Sequence, residues 1–293
     1  MIPVYQGPVF DAHHHLWDCT SGARPWLDEP EMRDLRGSGH ALAHRAVFGG
    51  AFAGTIWIEG LSCDPEAELA EAEALRLASN GRVNTGLVAH APLDAPDIAR
   101  RLDRLQAISP ALRGIRDIVA HAPGTPSPAR APDLLDRPGF LNGLKELERR
   151  GLVFDLMLRP GQMEDVSHLL KSVPDLITVV EHCGSPNDQS EEGLRAWYRG
   201  IALLAAHPGC HMKVSALHCL VEDCSDRCLA MVLDPLYVAF GAERMAFGTD
   251  WPVHDRHCPG PESLAAVKRI TARWPEPDQR HLFHDTARRV YRV

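Results

Sequence analysis

The chain lacks the features that would direct it to a membrane or a nucleic acid. No apolar run approaches the length needed to cross a bilayer, and the opening residues MIPVYQGPVF lack the basic start and apolar core of a secretory signal. Basic residues are in the minority, with 31 Lys and Arg against 39 Asp and Glu, so the formal net charge is -8. An acidic chain does not favour a phosphate-backbone partner. We therefore expect a small-molecule partner, with no nucleic acid and no membrane.

Paired C-x2-C motifs are also missing, although the chain contains eight cysteines. The densest run, CLVEDCSDRC, has C-x4-C-x3-C spacing, which does not match a zinc ribbon. Scattered cysteines in a long chain indicate reduced, mostly buried thiols, and so predict a cytoplasmic protein. The sequence leaves the oligomeric state open, a homo-oligomer included.

Neither an internal repeat nor a linker divides the sequence, so a single domain over residues 1–293 is predicted. Short runs rich in Val, Ile and Phe alternate with helix-like segments. We predict strands at residues 8–13, 54–60, 82–90, 112–119, 151–158, 176–182, 210–216 and 244–250. This alternation favours parallel pairing, and eight units predict an α/β fold, a (β/α)8 TIM barrel. The alternative, an open doubly wound sheet, is disfavoured because no Gly-rich phosphate turn follows the first strand.

Polar residues cluster where the predicted strands end. In a parallel barrel these ends meet at one face, so side chains far apart in the chain are expected to converge on one pocket. The residues concerned are Asp11, His13, His15, Glu59, His90, Arg116, Asp117, Asp155, Glu181, His182, Lys213, Ser215 and Asp250.

Five segments in order resemble the amidohydrolase superfamily. They are DAHHHLWD, LRGIRDIV, VVEHCGSP, HMKVSALH and MAFGTDWPV, and they extend from Val9 to Val253. More narrowly, they resemble its amidohydrolase-2 branch of sugar-lactone and 2-pyrone-4,6-dicarboxylate lactonases. The resemblance implies a TIM barrel and a hydrolase.

The histidine run near the start supplies the first candidate ligands. Side chains alternate along a strand, so His13 and His15 should share one face while His14 points away from it. The resemblance makes His13 and His15 metal ligands and Asp250 both a ligand and the general base that activates water. It assigns His182 to the substrate carbonyl or to a metal. Glu181, next to His182, is expected to point the opposite way and to be structural.

The sequence argues against a site with two metals. The superfamily's binuclear site has a histidine on the fifth strand, which GLVFDLML lacks, and Arg116 on the fourth strand stays protonated and cannot be a ligand. One divalent ion, zinc held by His13, His15 and Asp250, fits the remaining donors. A reaction that needs no metal is the other interpretation.

The expected reaction is hydrolysis of a small lactone, in particular an aldonic acid lactone. Predicted substrate-binding residues are Arg116, Glu59, Asp155, Lys213, His218 and His254, with Arg159 and His257 at the rim. Loops at residues 20–50 and 121–132 are expected to cover the pocket and to determine selectivity. Two alternatives stay open: a metal-dependent decarboxylase of the same group, and a catalytically silent barrel that binds a sugar acid.

Overall fold

The computed structural model describes residues 4–17, 23–37, 41–125, 127–221 and 223–293. In it, eight parallel strands form one sheet, and they follow one another in the sheet in the order of the chain. Every neighbouring pair is parallel. The strands are β1 (Val9–His14), β2 (Phe52–Ile58), β3 (Gly86–His90), β4 (Leu112–Arg116), β5 (Val153–Leu156), β6 (Thr178–Val180), β7 (Cys210–Val214) and β8 (Met245–Phe247). The predicted (β/α)8 barrel is therefore confirmed.

Helices follow the strands and cover the outside of the barrel. They are α1 (Ala41–Ala46), α2 (Pro65–Ala78), α3 (Ile98–Ile108), α4 (Pro138–Arg150), α5 (Met163–Leu170), α6 (Glu191–Ala205), α7 (Asp226–Phe240), α8 (Gly260–Thr271), α9 (Glu276–Arg280) and α10 (Thr286–Tyr291). Asp64 caps α2 by accepting a hydrogen bond from the backbone N–H of Ala67 at 3.0 Å. A π-helical turn at His281–Asp285 separates α9 from α10.

The lower half of the barrel interior is mainly apolar. Its side chains come from most of the strands and from α10, which closes the bottom of the barrel; they are Phe10, Ala12, Ile56, Ile58, Val88, Val153, Val179, Ala246, Ala287, Val290 and Tyr291. A second set of apolar side chains packs between the outer face of the strands and the helices. The polar residues at the strand ends thus stand above an apolar floor.

Strand β1 is irregular where it approaches the predicted site. Its pairing register with β2 shifts between Asp11 and His14. Because Phe10 and Ala12 face the interior, strict alternation would direct His13 and His15 outward. The irregularity reverses the alternation, so that His13 and His15 face the interior and His14 packs outside against His44, with ring centroids 4.3 Å apart.

The ring of strands closes through residues that follow β8. The backbone N–H of Asp250 donates to the carbonyl of His13 at 2.7 Å, and that of His15 donates to Trp251 at 2.8 Å. A parallel bridge pairs His14 with Trp251. We call this junction, residues 13–15 against 248–251, the closure seam.

Other sequence predictions concern the membrane, the thiols and the long loop. No helix in the described ranges is long and apolar enough to cross a membrane. The seven described cysteines are all free thiols, but only Cys183 and Cys210 are buried, so the prediction that most of the thiols are buried is wrong. Cys19 lies outside the described residues. The described part of the loop at residues 20–50 contains α1 and short 3-10 helices at Pro25–Asp28, Pro30–Gly37 and Gly49–Ala51.

Candidate active site

Three ligand-type atoms meet at the closure seam. His13 Nε2 lies 3.3 Å from His15 Nε2 and 3.3 Å from Asp250 Oδ1, and His15 Nε2 lies 3.4 Å from the same oxygen. The backbone pairing of β1 with the residues after β8 holds them there, since it joins His13 directly to Asp250. Two histidines near the start of the chain and an aspartate more than two hundred residues later therefore form one triangle.

The triangle has the dimensions of one face of a tetrahedral metal site. Donors at about 2.0–2.1 Å from a tetrahedral zinc ion lie about 3.3–3.4 Å from each other. The His15 Nδ1 atom is 2.9 Å from the carbonyl of Ile58. Because a carbonyl only accepts, that nitrogen carries the proton, and the lone pair of a neutral His15 is on Nε2, toward the triangle. The donor set thus fits one divalent ion.

His182 stands beside this triangle. One of its ring nitrogens, with a nitrogen of His13 and an oxygen of Asp250, forms a group in which all three atoms lie within 4.8 Å of one another. Its Nδ1 is 2.9 Å from Ser215 Oγ, which also accepts from the His182 backbone N–H at 3.3 Å. A left-handed backbone at His182 (φ 51°) turns the side chain into the pocket just after β6.

The protonation states suit both proton transfer and metal binding. Burial lowers the pKa of His13 well below its usual value, with Lys213 adding to the effect, and burial also lowers the pKa of His182. Both imidazoles are therefore neutral near neutral pH. Burial by itself would raise the pKa of Asp250, but His182 and His15 outweigh it and the pKa is lowered, so this carboxyl is ionised.

A layer of buried charges adjoins the triangle through His13. Arg116 donates from Nε to Glu59 Oε1 at 2.6 Å and from Nη1 to Glu181 Oε2 at 3.3 Å. Lys213 pairs with Asp155, which also accepts from the Tyr291 hydroxyl at 2.8 Å. The predicted contacts of Glu59, Asp155 and Lys213 with substrate are not supported by this geometry, because all three are at most 1% exposed and are bonded within the layer.

Glu181 faces the barrel interior, so the prediction that it points away is wrong. Its Oε1 lies 3.4 Å from His13 Nδ1 and 3.7 Å from Lys213 Nζ, and its Oε2 lies 3.9 Å from His182 Nε2. Glu181 continues the alternation set by Val179, which is part of the barrel interior. Counting the alternation from Val179 within VVEH would have identified Glu181 from the sequence.

His218 and His254 form a buried pair behind Asp250. His218 Nδ1 is 3.2 Å from His254 Nε2, and the His254 backbone N–H donates to the Asp250 carbonyl at 3.0 Å. Burial lowers the pKa of His254 to about 4, against the opposing charge of Asp250. Neither side chain lines the cavity above the triangle, so a direct role in substrate binding is not supported by their position.

A cavity of about 360 Å³ opens above the triangle. Among the predicted site residues it is lined by His15, His182, Asp250, Arg116, Arg159 and His257. Residues that the sequence did not single out complete the wall, and most of them are apolar: Trp17, Trp26, Met32, Leu61, Ile118, Met157, Leu220 and Val253. Trp17 and Trp26 meet edge to face, with ring centroids 5.6 Å apart. They belong to or adjoin the long loop after β1, so their place in the pocket depends on how that loop folds.

Comparison with known proteins agrees with this architecture. A family model described as Amidohydrolase matches residues 10–293. The chain is 27% identical to an L-fucono-1,5-lactonase of Burkholderia multivorans, over 96% of this chain and 95% of that protein. It is 26% identical to an uncharacterised protein of Sinorhizobium fredii, over 97% of this chain and 98% of that protein.

A solved structure shares the fold over nearly the whole chain. A Burkholderia multivorans amidohydrolase crystallised with bound zinc superposes with a TM-score of 0.85 at 24% identity, covering 98% of this chain and 100% of that one. At this identity the likeness shows the fold alone.

Proposed function

The chain belongs to the amidohydrolase family, and from this membership and the geometry above we propose that it hydrolyses the lactone of a sugar acid, such as an aldonolactone. The observation that carries the proposal is the ionised Asp250 beside three imidazoles at the base of a cavity large enough for a small ring. The lactonase name of the Burkholderia relative, at 27% identity over nearly all of both chains, supports this substrate class.

A single divalent ion would be held by His13, His15 and Asp250. We propose zinc, which prefers a set of imidazole and carboxylate donors; when bound, it would polarise the lactone carbonyl and stabilise negative charge on its oxygen. The bound zinc of the Burkholderia amidohydrolase is in keeping with this assignment.

Asp250 is the proposed general base. Its Oδ1 faces the two imidazoles of β1, which leaves Oδ2 to take a proton from water. The water oxygen bonds to the ring carbonyl carbon, and the ring C–O bond then breaks. The departing ring oxygen takes the proton back from Asp250, so that one water is consumed and one hydroxy acid is released.

His182 is the proposed hydrogen-bond donor to the carbonyl oxygen. Ser215 Oγ accepts from the His182 backbone N–H and can in turn donate to Nδ1. In that arrangement the proton of the neutral ring is on Nε2, where it can stabilise the negative oxygen that forms during water attack. This role explains why a serine lies behind the ring.

The test is turnover of a panel of aldonolactones, followed with a pH indicator together with a measurement of CO2. We expect acid release without CO2. We expect Asp250→Asn to lower kcat by a factor on the order of 10² or more, because the variant lacks the general base. Asp103→Asn is the matched control, because that side chain is 67% exposed on the outer surface.

Other outcomes identify the alternatives. Release of CO2 from aromatic carboxylates would indicate a decarboxylase and overturn the lactonase proposal. Sugar-acid binding with no turnover, equal in the wild type and Asp250→Asn, would indicate a silent barrel.

A further inference from the structure

Three arginines line the cavity, and two of them are neutralised within the chain. The guanidinium of Arg116 is bonded to Glu59 and Glu181. Arg256 Nε lies 3.2 Å from Asp34 Oδ2 at the rim. Their positive charges therefore have carboxylate partners before any ligand enters.

Arg159 differs from both. Its Nη1 donates to the amide oxygen of Asn187 at 2.8 Å, and no carboxylate of the described residues forms an ion pair with its guanidinium. An amide oxygen accepts a hydrogen bond but supplies no negative charge. Arg159 thus brings an uncompensated positive charge and further N–H donors to a cavity whose wall is largely apolar.

The base of Arg159 is held in place by Gln162. The backbone N–H of Arg159 donates to Gln162 Oε1 at 3.0 Å, and the same oxygen accepts from the backbone N–H of His121 at 3.1 Å. Gln162 Nε2 donates to the carbonyl of Val119 at 2.7 Å. One side chain therefore ties the loops after β4 and β5 together, so the backbone that carries Arg159 is ordered in advance of binding.

Arg159 lies across the mouth of the barrel from the closure seam. It follows β5, and β5 is four strands away from β1 in a ring of eight. A ligand whose reacting carbonyl lies beside Asp250 would thus extend its opposite end toward Arg159. A guanidinium matches a carboxylate through two parallel charged hydrogen bonds, whereas a hydroxyl accepts from it without compensating its charge.

We propose, on the premise of the lactonase function proposed above, that Arg159 binds a carboxylate at the end of the substrate opposite the ring carbonyl. The preferred substrates are then lactones of sugar diacids, and neutral aldonolactones are poorer substrates. Arg159 determines specificity, while the hydrolytic step stays with Asp250 and the histidines.

The experiment compares matched pairs of 1,4-lactones that share their ring configuration and differ only at C6, a carboxylate in the hexarolactone and a hydroxymethyl in the hexonolactone. We expect the wild-type enzyme to have the higher kcat/KM for the hexarolactone of its preferred pair. Arg159→Gln should reduce the ratio of the two kcat/KM values on the order of 10- to 100-fold, as loss of a charged hydrogen bond implies. Arg159→Lys should reduce it less, because charge remains but the paired donors do not.

The control is Arg195→Gln, which removes an exposed arginine of α6 that pairs with Glu191; it should leave the ratio unchanged. An Arg159→Gln ratio equal to that of the wild type would overturn the proposal and leave the lactonase function standing. So would a wild-type preference for the neutral lactone in every pair.

If neither lactone of any pair is hydrolysed, the proposed function is wrong. Calorimetry with the open-chain hexarate and hexonate then tests separately whether Arg159 binds a carboxylate. Tighter binding of the hexarate that is lost in Arg159→Gln supports the carboxylate site. Equal affinities in the two proteins refute it.

Discussion

Glu181 is a single buried carboxylate that lies close to four side chains of the candidate site. It lies within 4 Å of His13, His182, Lys213 and Arg116, and it is fully buried. Its Oε1 has no hydrogen bond to the described residues yet lies 3.4 Å from His13 Nδ1. His13 Nδ1 thus has two neighbours, this oxygen and Lys213 Nζ at 3.5 Å. A proton on His13 Nδ1 that is directed to the Glu181 oxygen leaves the Nε2 lone pair toward the triangle, as with a carboxylate behind a metal-bound histidine.

We expect Glu181→Gln to weaken zinc binding on the order of 10- to 100-fold, because an amide accepts the His13 proton less strongly than a carboxylate. Titration calorimetry with zinc measures this directly, without recourse to turnover. Glu181→Asp keeps the charge, so it should recover part of the affinity.

The surface variant Glu191→Gln is the control for this experiment, since the Glu191 side chain is 80% exposed. Thermal unfolding of each metal-free variant establishes that it is folded. An unchanged zinc affinity in folded Glu181→Gln would exclude the carboxylate as a positioning group for His13.

At the scale of elements, the closure seam requires the residues after β8 to approach β1 very closely. A Cβ atom added to Gly248 would lie 2.6 Å from the Cβ of His13 and 3.0 Å from its backbone nitrogen. Neither atom is the end of a flexible side chain, so a larger residue would displace β1 itself. A glycine before Thr249 and Asp250 is therefore needed to bring that aspartate to the histidines.

We expect Gly248→Ala to lower the free energy of unfolding by about 1–3 kcal/mol, the usual cost of overpacking, and to lower zinc affinity because His13 moves. Urea denaturation and calorimetry measure the two effects. Gly161→Ala is the matched control, because nothing lies within 4 Å of an added Cβ there. Equal stability of the two variants would contradict the close approach.

At the scale of the whole molecule, several buried histidines are kept neutral. His211 faces the lower interior from β7, and burial lowers its pKa to about 4. As pH falls below about 6.5, the usual value for an unfolded histidine, the unfolded chain binds a proton that the folded chain does not. Stability therefore falls as the pH decreases from about 6.5 toward about 4.

Between about pH 7 and about pH 5, we expect the free energy of unfolding of the wild type to fall by roughly 2 kcal/mol more than that of His211→Gln. Gln keeps an N–H donor for the Gly209 carbonyl, which His211 contacts at 3.1 Å, and it does not titrate. Urea unfolding of both proteins at each pH gives the difference. Replacement of the exposed His168 by Gln is the control and should leave the pH dependence of stability unchanged. If His211→Gln has the same pH dependence as the wild type, His211 does not cause the loss of stability.

The sequence predicted the strand order and the groups at the strand ends, but not every side-chain direction. His182 and Glu181 show why. Strict alternation gives neighbouring residues opposite faces, yet the left-handed backbone at His182 lets both side chains serve one site. The local irregularity of β1 has a similar effect on Phe10 and His13. Such departures arise from contacts with other strands, which a linear pattern does not contain.

The sequence by itself determined the barrel, the family resemblance, and the histidines and aspartate that meet at the seam, because periodicity and short motifs are local properties. Only the tertiary structure decided which polar residues reach the cavity. Glu59, Asp155 and Lys213 are neutralised by partners from other strands, whereas Arg159 has no carboxylate partner among the described residues. The physical reason is that the pairing of buried charges depends on the distances between strands far apart in the chain, and these are set when the ring closes.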